Sequence, residues 1–186
     1  MIWRAGVLSF AVLLAIPAAH AQGTVAEPDT YRTEDYRAPT PRTLRGARVL
    51  TTAEAEEFWR DKRGTFVDVM PRPPKPANLP PETVWRDRPR HNIPSSLWLV
   101  DTGYGKLASD TETYFRDGLA KASRGNRDTW LVFYCQANCW MSWNAARRAL
   151  SYGYSNVAWF PEGTDGWEQA GLPLVDAQPE PRSSAE

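Results

Sequence analysis

An excess of charge of either sign is missing from this chain: 22 Lys and Arg are matched by 22 Asp and Glu. A nucleic-acid binder concentrates basic surface, so near-neutrality argues against that class, and no nucleic-acid partner is expected. Cysteine and histidine are scarce, two of each, which leaves few ligands for a metal. No internal repeat is visible. Beyond the first twenty or so residues, no run is apolar for long enough to cross a bilayer. Attachment of a c-type haem is excluded because Cys-x-x-Cys-His is absent: the residue after Cys139 is Trp140.

What is present begins with a processing signal. Arg4 in MIWR precedes the apolar run AGVLSFAVLLAIPAA, and Ala19-His20-Ala21 gives a small-x-small cleavage pattern before Gln22. That layout is a secretory signal peptide over 1–21, so the mature protein is expected to be periplasmic and without a membrane span. Cleavage removes Arg4 and His20, leaving 21 basic residues (22 less Arg4) against 22 acidic, and His91 as the last histidine. Residues 22–43 are polar and hold Pro28, Pro39 and Pro41; they read as a flexible leader or a segment draped on the domain. Residues 176–186 read as a disordered tail.

Between these ends, strands and helices alternate. The β-branched or apolar runs at 47–51, 65–70, 129–134 and 156–160 read as strands. Residues 51–62, 110–122 and 142–152 read as helices, the first opened by threonine caps and the last closed by Gly153. The Pro-rich loop 71–94 cannot be a central strand or a helix interior. The alternation implies a single α/β domain over 44–175, with a mostly parallel central sheet flanked by helices.

Both cysteines fall in YCQANCWMSWNAARRAL, residues 134–150. The strand over 129–134 places Cys135 at a carboxyl end, where open α/β sheets bind ligands. A loop wrapped onto a helix start aims backbone N–H groups inward, and the helix dipole adds partial positive charge. Both favour a thiolate and suit an anionic substrate. A reactive Cys135 is therefore expected in a loop of Gln136, Ala137, Asn138, Cys139, Trp140 and Met141, closed by Ser142 at the helix start.

Other readings of these residues stay open. The pair also suits an inert disulfide in an oxidising compartment, although so small a ring constrains little of the unfolded chain. Cys135, Cys139 and His91 with one further ligand would suit copper or zinc. With a lone histidine set in a Pro-rich loop, no metal and no cofactor are expected. Asp68, near the end of an apolar strand, either accepts hydrogen bonds from the cysteine loop or caps local backbone. His91 is a supporting candidate or a loop-packing residue. Trp140 suits a pocket rim, Trp143, Trp159 and Trp167 the core, and Arg147 and Arg148 a solvated helix face.

Residues 130–150, followed by GYSNVAWFPEGTDGWEQAGLPL (153–174), resemble the C-terminal half of a rhodanese-like domain. The shared pattern is a strand, a cysteine loop, a helix with paired alanines (Ala145 and Ala146), a strand, and a glycine turn from Gly163 to Trp167. Upstream, 66–70 resembles that family's acidic-ended second strand, and His91-Asn92-Ile93-Pro94-Ser95-Ser96 its His-Ile-Pro-Gly segment. More narrowly, the signal peptide, CQANCW and this domain together resemble an exported family tied to pyrroloquinoline quinone (PQQ)-dependent catabolism and named for a Cys-x-x-Cys-Trp motif.

The resemblance implies a rhodanese-like fold and sulfurtransferase or thiol redox chemistry. Cys135 would attack, passing through a persulfide or mixed disulfide, and Cys139 would resolve it. It further implies a small anionic sulfur donor or a redox partner protein, and a place beside a PQQ-dependent dehydrogenase and cytochrome c system, in catalysis or as a non-catalytic accessory. The sequence departs from both patterns. Three residues rather than two separate the cysteines, six rather than five separate Cys135 from Ser142, and QANCWM lacks the usual loop arginine, the charge partner of an anion.

Overall fold

The computed structural model describes residues 25–73, 75–86 and 88–182; the expected signal peptide and residues 183–186 lie outside them. In chain order the elements are β1 (Arg48–Val49), α1 (Thr52–Arg60), β2 (Gly64–Asp68), β3 (Arg90–Asn92), β4 (Leu97–Trp98), α2 (Ser109–Ser123), β5 (Trp130–Tyr134), α3 (Trp140–Ser151), β6 (Val157–Phe160), α4 (Gly163–Gln169) and β7 (Val175–Ala177). Five strands form one sheet in the order β1-β6-β5-β2-β4, with every neighbouring pair parallel. Parallel neighbours need crossovers, such as α3 between β5 and β6; between β2 and β4 the chain crosses through the Pro-rich segment and β3 instead. The α/β expectation holds.

Side-chain alternation along β5 builds two cores. Leu131 and Phe133 face Phe115, Leu119, Trp143, Ala146 and Trp159, from α2, α3 and β6. Val132 and Tyr134 face Phe58, Phe66, Ile93, Phe160 and Trp167 on the opposite side. A strand buried on both faces needs an unbroken apolar run, and WLVFY is one. Trp143, Trp159 and Trp167 are all fully buried.

Three expectations change. The described tail is pinned: β7 pairs antiparallel with β3, the Glu180 N–H donates to the Trp98 carbonyl at 2.9 Å, and Tyr114 donates to the Glu180 carbonyl at 2.9 Å. The leader over 25–43 is draped rather than loose. Asn144 exchanges hydrogen bonds with the Arg32 backbone at 2.8 and 3.0 Å, and the Trp143 indole donates to the Thr43 carbonyl at 3.2 Å. Buried polar groups on α3 need partners, and the leader backbone provides them. Arg148 lies in no solvated face; only 5% exposed, it donates to the carbonyls of Thr102, Tyr104 and Gly105. Among the described residues no helix is long and apolar enough to cross a membrane.

Helix α1 starts on a capping box, in which Thr51 accepts from the Glu54 N–H and the Glu54 carboxylate accepts from the Thr51 N–H at 3.0 Å. That backbone bond, and then Arg48, lower the Glu54 carboxyl from 4.5 to about 2. A depressed acid stabilises the fold above its ordinary value, and the contribution is lost as pH falls from 4.5 toward 2. Glu54→Gln should therefore flatten the acid limb of the stability profile in that window, measured by urea unfolding at successive pH values. An unchanged limb would refute the assignment.

Candidate functional site at the cysteine loop

Strand β5 delivers Cys135 to the carboxyl edge of the sheet, between β2 and β6. Cys139 is the N-cap of α3, which begins at Trp140, two residues before the expected Ser142. The loop is thus short, Gln136 to Asn138, with Asn138 left-handed at φ 54°. Cys135 and Cys139 are joined as a disulfide with Cα atoms 6.3 Å apart, and are 0% and 2% exposed. Closing so small a ring removes about 2 kcal/mol of unfolded-chain entropy, a modest staple.

The six residues between Cys135 and Ser142 do not form a wide anion cradle. Trp140, Met141 and Ser142 lie in the first turn of the helix and are buried. The Trp140 N–H donates to the Tyr36 carbonyl at 2.9 Å, and the Ala137 N–H to Asp165 Oδ2 at 3.3 Å. Trp140 is not a rim residue. Its indole donates to the Pro39 carbonyl at 3.1 Å and its ring meets Trp143 edge-on at 5.4 Å, beneath the leader. Ser142 is structural in its contacts, donating to the Cys139 carbonyl at 3.1 Å and accepting from the Trp159 indole at 3.0 Å.

A cation does reach the loop, but from the leader. Arg37 pairs backbone to backbone with Cys139, and its Nη1 donates to the Ala137 carbonyl at 3.0 Å. With its amide oxygen turned toward Arg37, Gln136 accepts from Nε at 3.3 Å. Gln136 also bridges Gly163, where a β-carbon would stand 2.7 Å from Gln136 Cα and 2.8 Å from the Cys135 carbonyl oxygen. Only glycine allows that approach. The cavity beside the loop, about 380 Å³, is lined by Thr52, Ala137, Glu162 and Asp165 among others, and carries no cation. Its charge disfavours an anion.

Behind the loop lies a buried ion pair. Asp68 Oδ2 accepts from Arg90 Nε at 2.8 Å, and Oδ1 accepts from the Met70 N–H at 2.9 Å. Burial pushes the Asp68 carboxyl up, against the pull of the Arg90 charge. Arg90 Nη2 donates to the Cys135 carbonyl at 3.1 Å, which also accepts from the N–H and hydroxyl of Thr164 at 3.1 and 3.2 Å. Asp68 therefore meets the cysteine loop through Arg90, not directly. His91 points the other way, exposed and 2.9 Å from Asp176 on β7. Strand alternation in β3 explains the exchange: Arg90 and Asn92 turn inward, His91 outward. Sequence reasoning missed Arg90, although a carboxylate ending an apolar strand calls for a cation. The remaining close neighbour is Met70, whose Sδ lies 3.4 Å from Cys135 Sγ.

Removing one partner of a buried pair strands the other. Asp68→Ala should cost about 3–5 kcal/mol, read from the urea midpoint, while Asp68→Ala combined with Arg90→Met should recover most of the loss. Equal losses in both variants would show that the ion pair does not organise this edge.

No protein-family model and no curated protein matches the chain. Among solved structures it is similar to the thiosulfate sulfurtransferase from Pseudomonas aeruginosa, with a TM-score of 0.51 and 16% identity over 76% of this chain. The chain spans 22% of that protein's length. A variant of EanB in complex with hercynine gives 0.49 at 19% identity, covering 70% of this chain and 32% of that one. The polysulfide-sulfur transferase homodimer from Wolinella succinogenes gives 0.44 at 16%, covering 72% and 81%. Together with the parallel sheet and the cysteine at the end of β5, the first likeness establishes a rhodanese-like α/β fold.

Proposed function

We propose that this protein performs thiol–disulfide or persulfide chemistry at Cys135, with Cys139 as the resolving thiol. The observation that carries the reading is the Cys135–Cys139 disulfide itself, set between the carboxyl end of β5 and the amino end of α3. The two sulfurs differ in place. Cys139 sits at the helix N-cap, where the partial positive charge stabilises a thiolate, so it is the better leaving group. An incoming thiolate or hydrosulfide attacks Cys135 Sγ, the S–S bond breaks, and Cys139 departs as thiolate. The product on Cys135 is a mixed disulfide or, with hydrosulfide, a persulfide. Return attack by Cys139 on Cys135 Sγ expels the bound sulfur species and restores the disulfide. In the reduced protein, Cys135 thiolate instead takes the sulfane sulfur of a donor and releases the donor's remainder as its leaving group.

The acidic cavity wall and the occupied loop N–H groups favour a thiol-bearing protein over a small anionic donor as partner. The finer placement, in the periplasm beside a PQQ-dependent dehydrogenase and cytochrome c system, is supported by the leader pattern at 1–21 and by the CQANCW resemblance. A non-catalytic accessory role in that system is the second reading, favoured by the burial of both cysteines and the backbone pairing of Arg37 with Cys139.

The two separate by experiment. Reduced Cys139→Ser protein treated with a peptide bearing a cysteine persulfide should carry one added sulfur on Cys135, located by peptide mass spectrometry, and Cys135→Ser should carry none. In the wild type, the disulfide should open and re-form reversibly on titration with a dithiol. Failure of both, in folded protein, leaves the accessory reading.

A further inference from the structure

A third sulfur stands beside the disulfide. Met70 Sδ lies 3.4 Å from Cys135 Sγ, which is also bonded to Cys139 Sγ. The thioether is held in place. Met70 follows β2, its N–H is bound to Asp68 Oδ1 at 2.9 Å, and its carbonyl accepts the Trp98 indole N–H at 2.7 Å. Cys135 and Cys139 belong to a buried apolar cluster against which Met70 packs.

Reduction places two thiols in this cluster, and ionising them in so dry a setting is costly without a counter-charge. No group of three His, Cys, Asp or Glu that could hold a metal ion gathers among the described residues. The donors that gather around Cys135 Sγ are sulfurs. Thiolate and thioether ligands instead select a soft cation, Cu(I) above all. Burial of the two cysteines also keeps out the water that a hard ion would retain.

We propose that the reduced protein binds one Cu(I) ion through Cys135 Sγ, Cys139 Sγ and Met70 Sδ. A dithiol reductant supplies two electrons to the disulfide and leaves as a disulfide itself. Cu(I) then displaces the two thiol protons, forms two copper–thiolate bonds and takes the thioether as a neutral third ligand. Copper keeps its oxidation state throughout. Met70 thus fills the place that the sequence reading offered to His91, which faces away on β3. The inference shares with the proposed function only the requirement that the disulfide be reducible.

The test is an anaerobic titration of the full chain with Cu(I) against the chelator bathocuproine disulfonate, after reduction and thiol counting. The reduced wild type should hold one equivalent and the oxidised protein none. Met70→Leu, a volume-conserving change, should weaken Cu(I) by about tenfold or more, with thiol count and persulfide formation unchanged. X-ray absorption should find three sulfur neighbours to copper in the wild type and two in Met70→Leu. Equal affinity in the two proteins overturns the proposal. So does reduced protein with two free thiols that yields all copper to the chelator, a result that leaves the thiol reading standing. A pair that resists reduction in folded protein overturns both.

Discussion

The carboxyl edge of this sheet depends on one guanidinium. Arg90 binds the Asp68 carboxylate at the end of β2, the Cys135 carbonyl after β5, and approaches the Thr164 hydroxyl of α4 at 3.4 Å. A planar guanidinium with five donors in a fixed fork holds these partners in one geometry. Asp68 is wholly buried, so its charge is tolerable there only because Arg90 answers it. The cysteine carbonyl is fixed by the same group. The position of Cys135 is therefore set by an ion pair that neither cysteine contributes to.

That constraint explains why one extra loop residue widens nothing. Cys135 is anchored by its carbonyl and Cys139 by backbone pairing with Arg37, so the residues between them have a fixed span to cross. Helix α3 takes up the slack by starting at Trp140, and Asn138 absorbs the turn in a left-handed conformation. The N–H groups that a rhodanese-like cradle would aim at an anion are spent on Tyr36 and Asp165. A loop of this build has little to offer a free anion. It offers a short span between two sulfurs in different settings, Cys135 at a strand end and Cys139 at a helix N-cap.

The fold was largely legible because its signals are local. WLVFY announces a strand buried on both faces, and the Thr51–Glu54 box announces a helix start. The site was half legible. Cys135 at a strand end follows from the run before it, but what surrounds it comes from far along the chain: Arg37 is 100 residues from Ala137, and Arg90 is 45 from Cys135. No periodicity reports such contacts. The Arg90–His91 exchange turned on strand register in β3, a three-residue element hidden in a Pro-rich segment whose partner, β7, lies in what reads as tail. Short edge strands carry too few residues to show their alternation. Met70 escaped because a thioether after an apolar strand looks like more core.

The leader carries the last consequence. In the resembled family the cation near the cysteine belongs to the loop, so charge and sulfur move together. Here Arg37 sits on a separate segment that also covers Trp140 and pairs with Cys139. That one segment thus supplies both the backbone partner of Cys139 and the charge at the loop. It also takes up the Trp140 N–H at the amino end of α3, through the Tyr36 carbonyl. Cover, charge and the capping of the α3 amino end therefore all come from a single stretch of backbone bound to that helix.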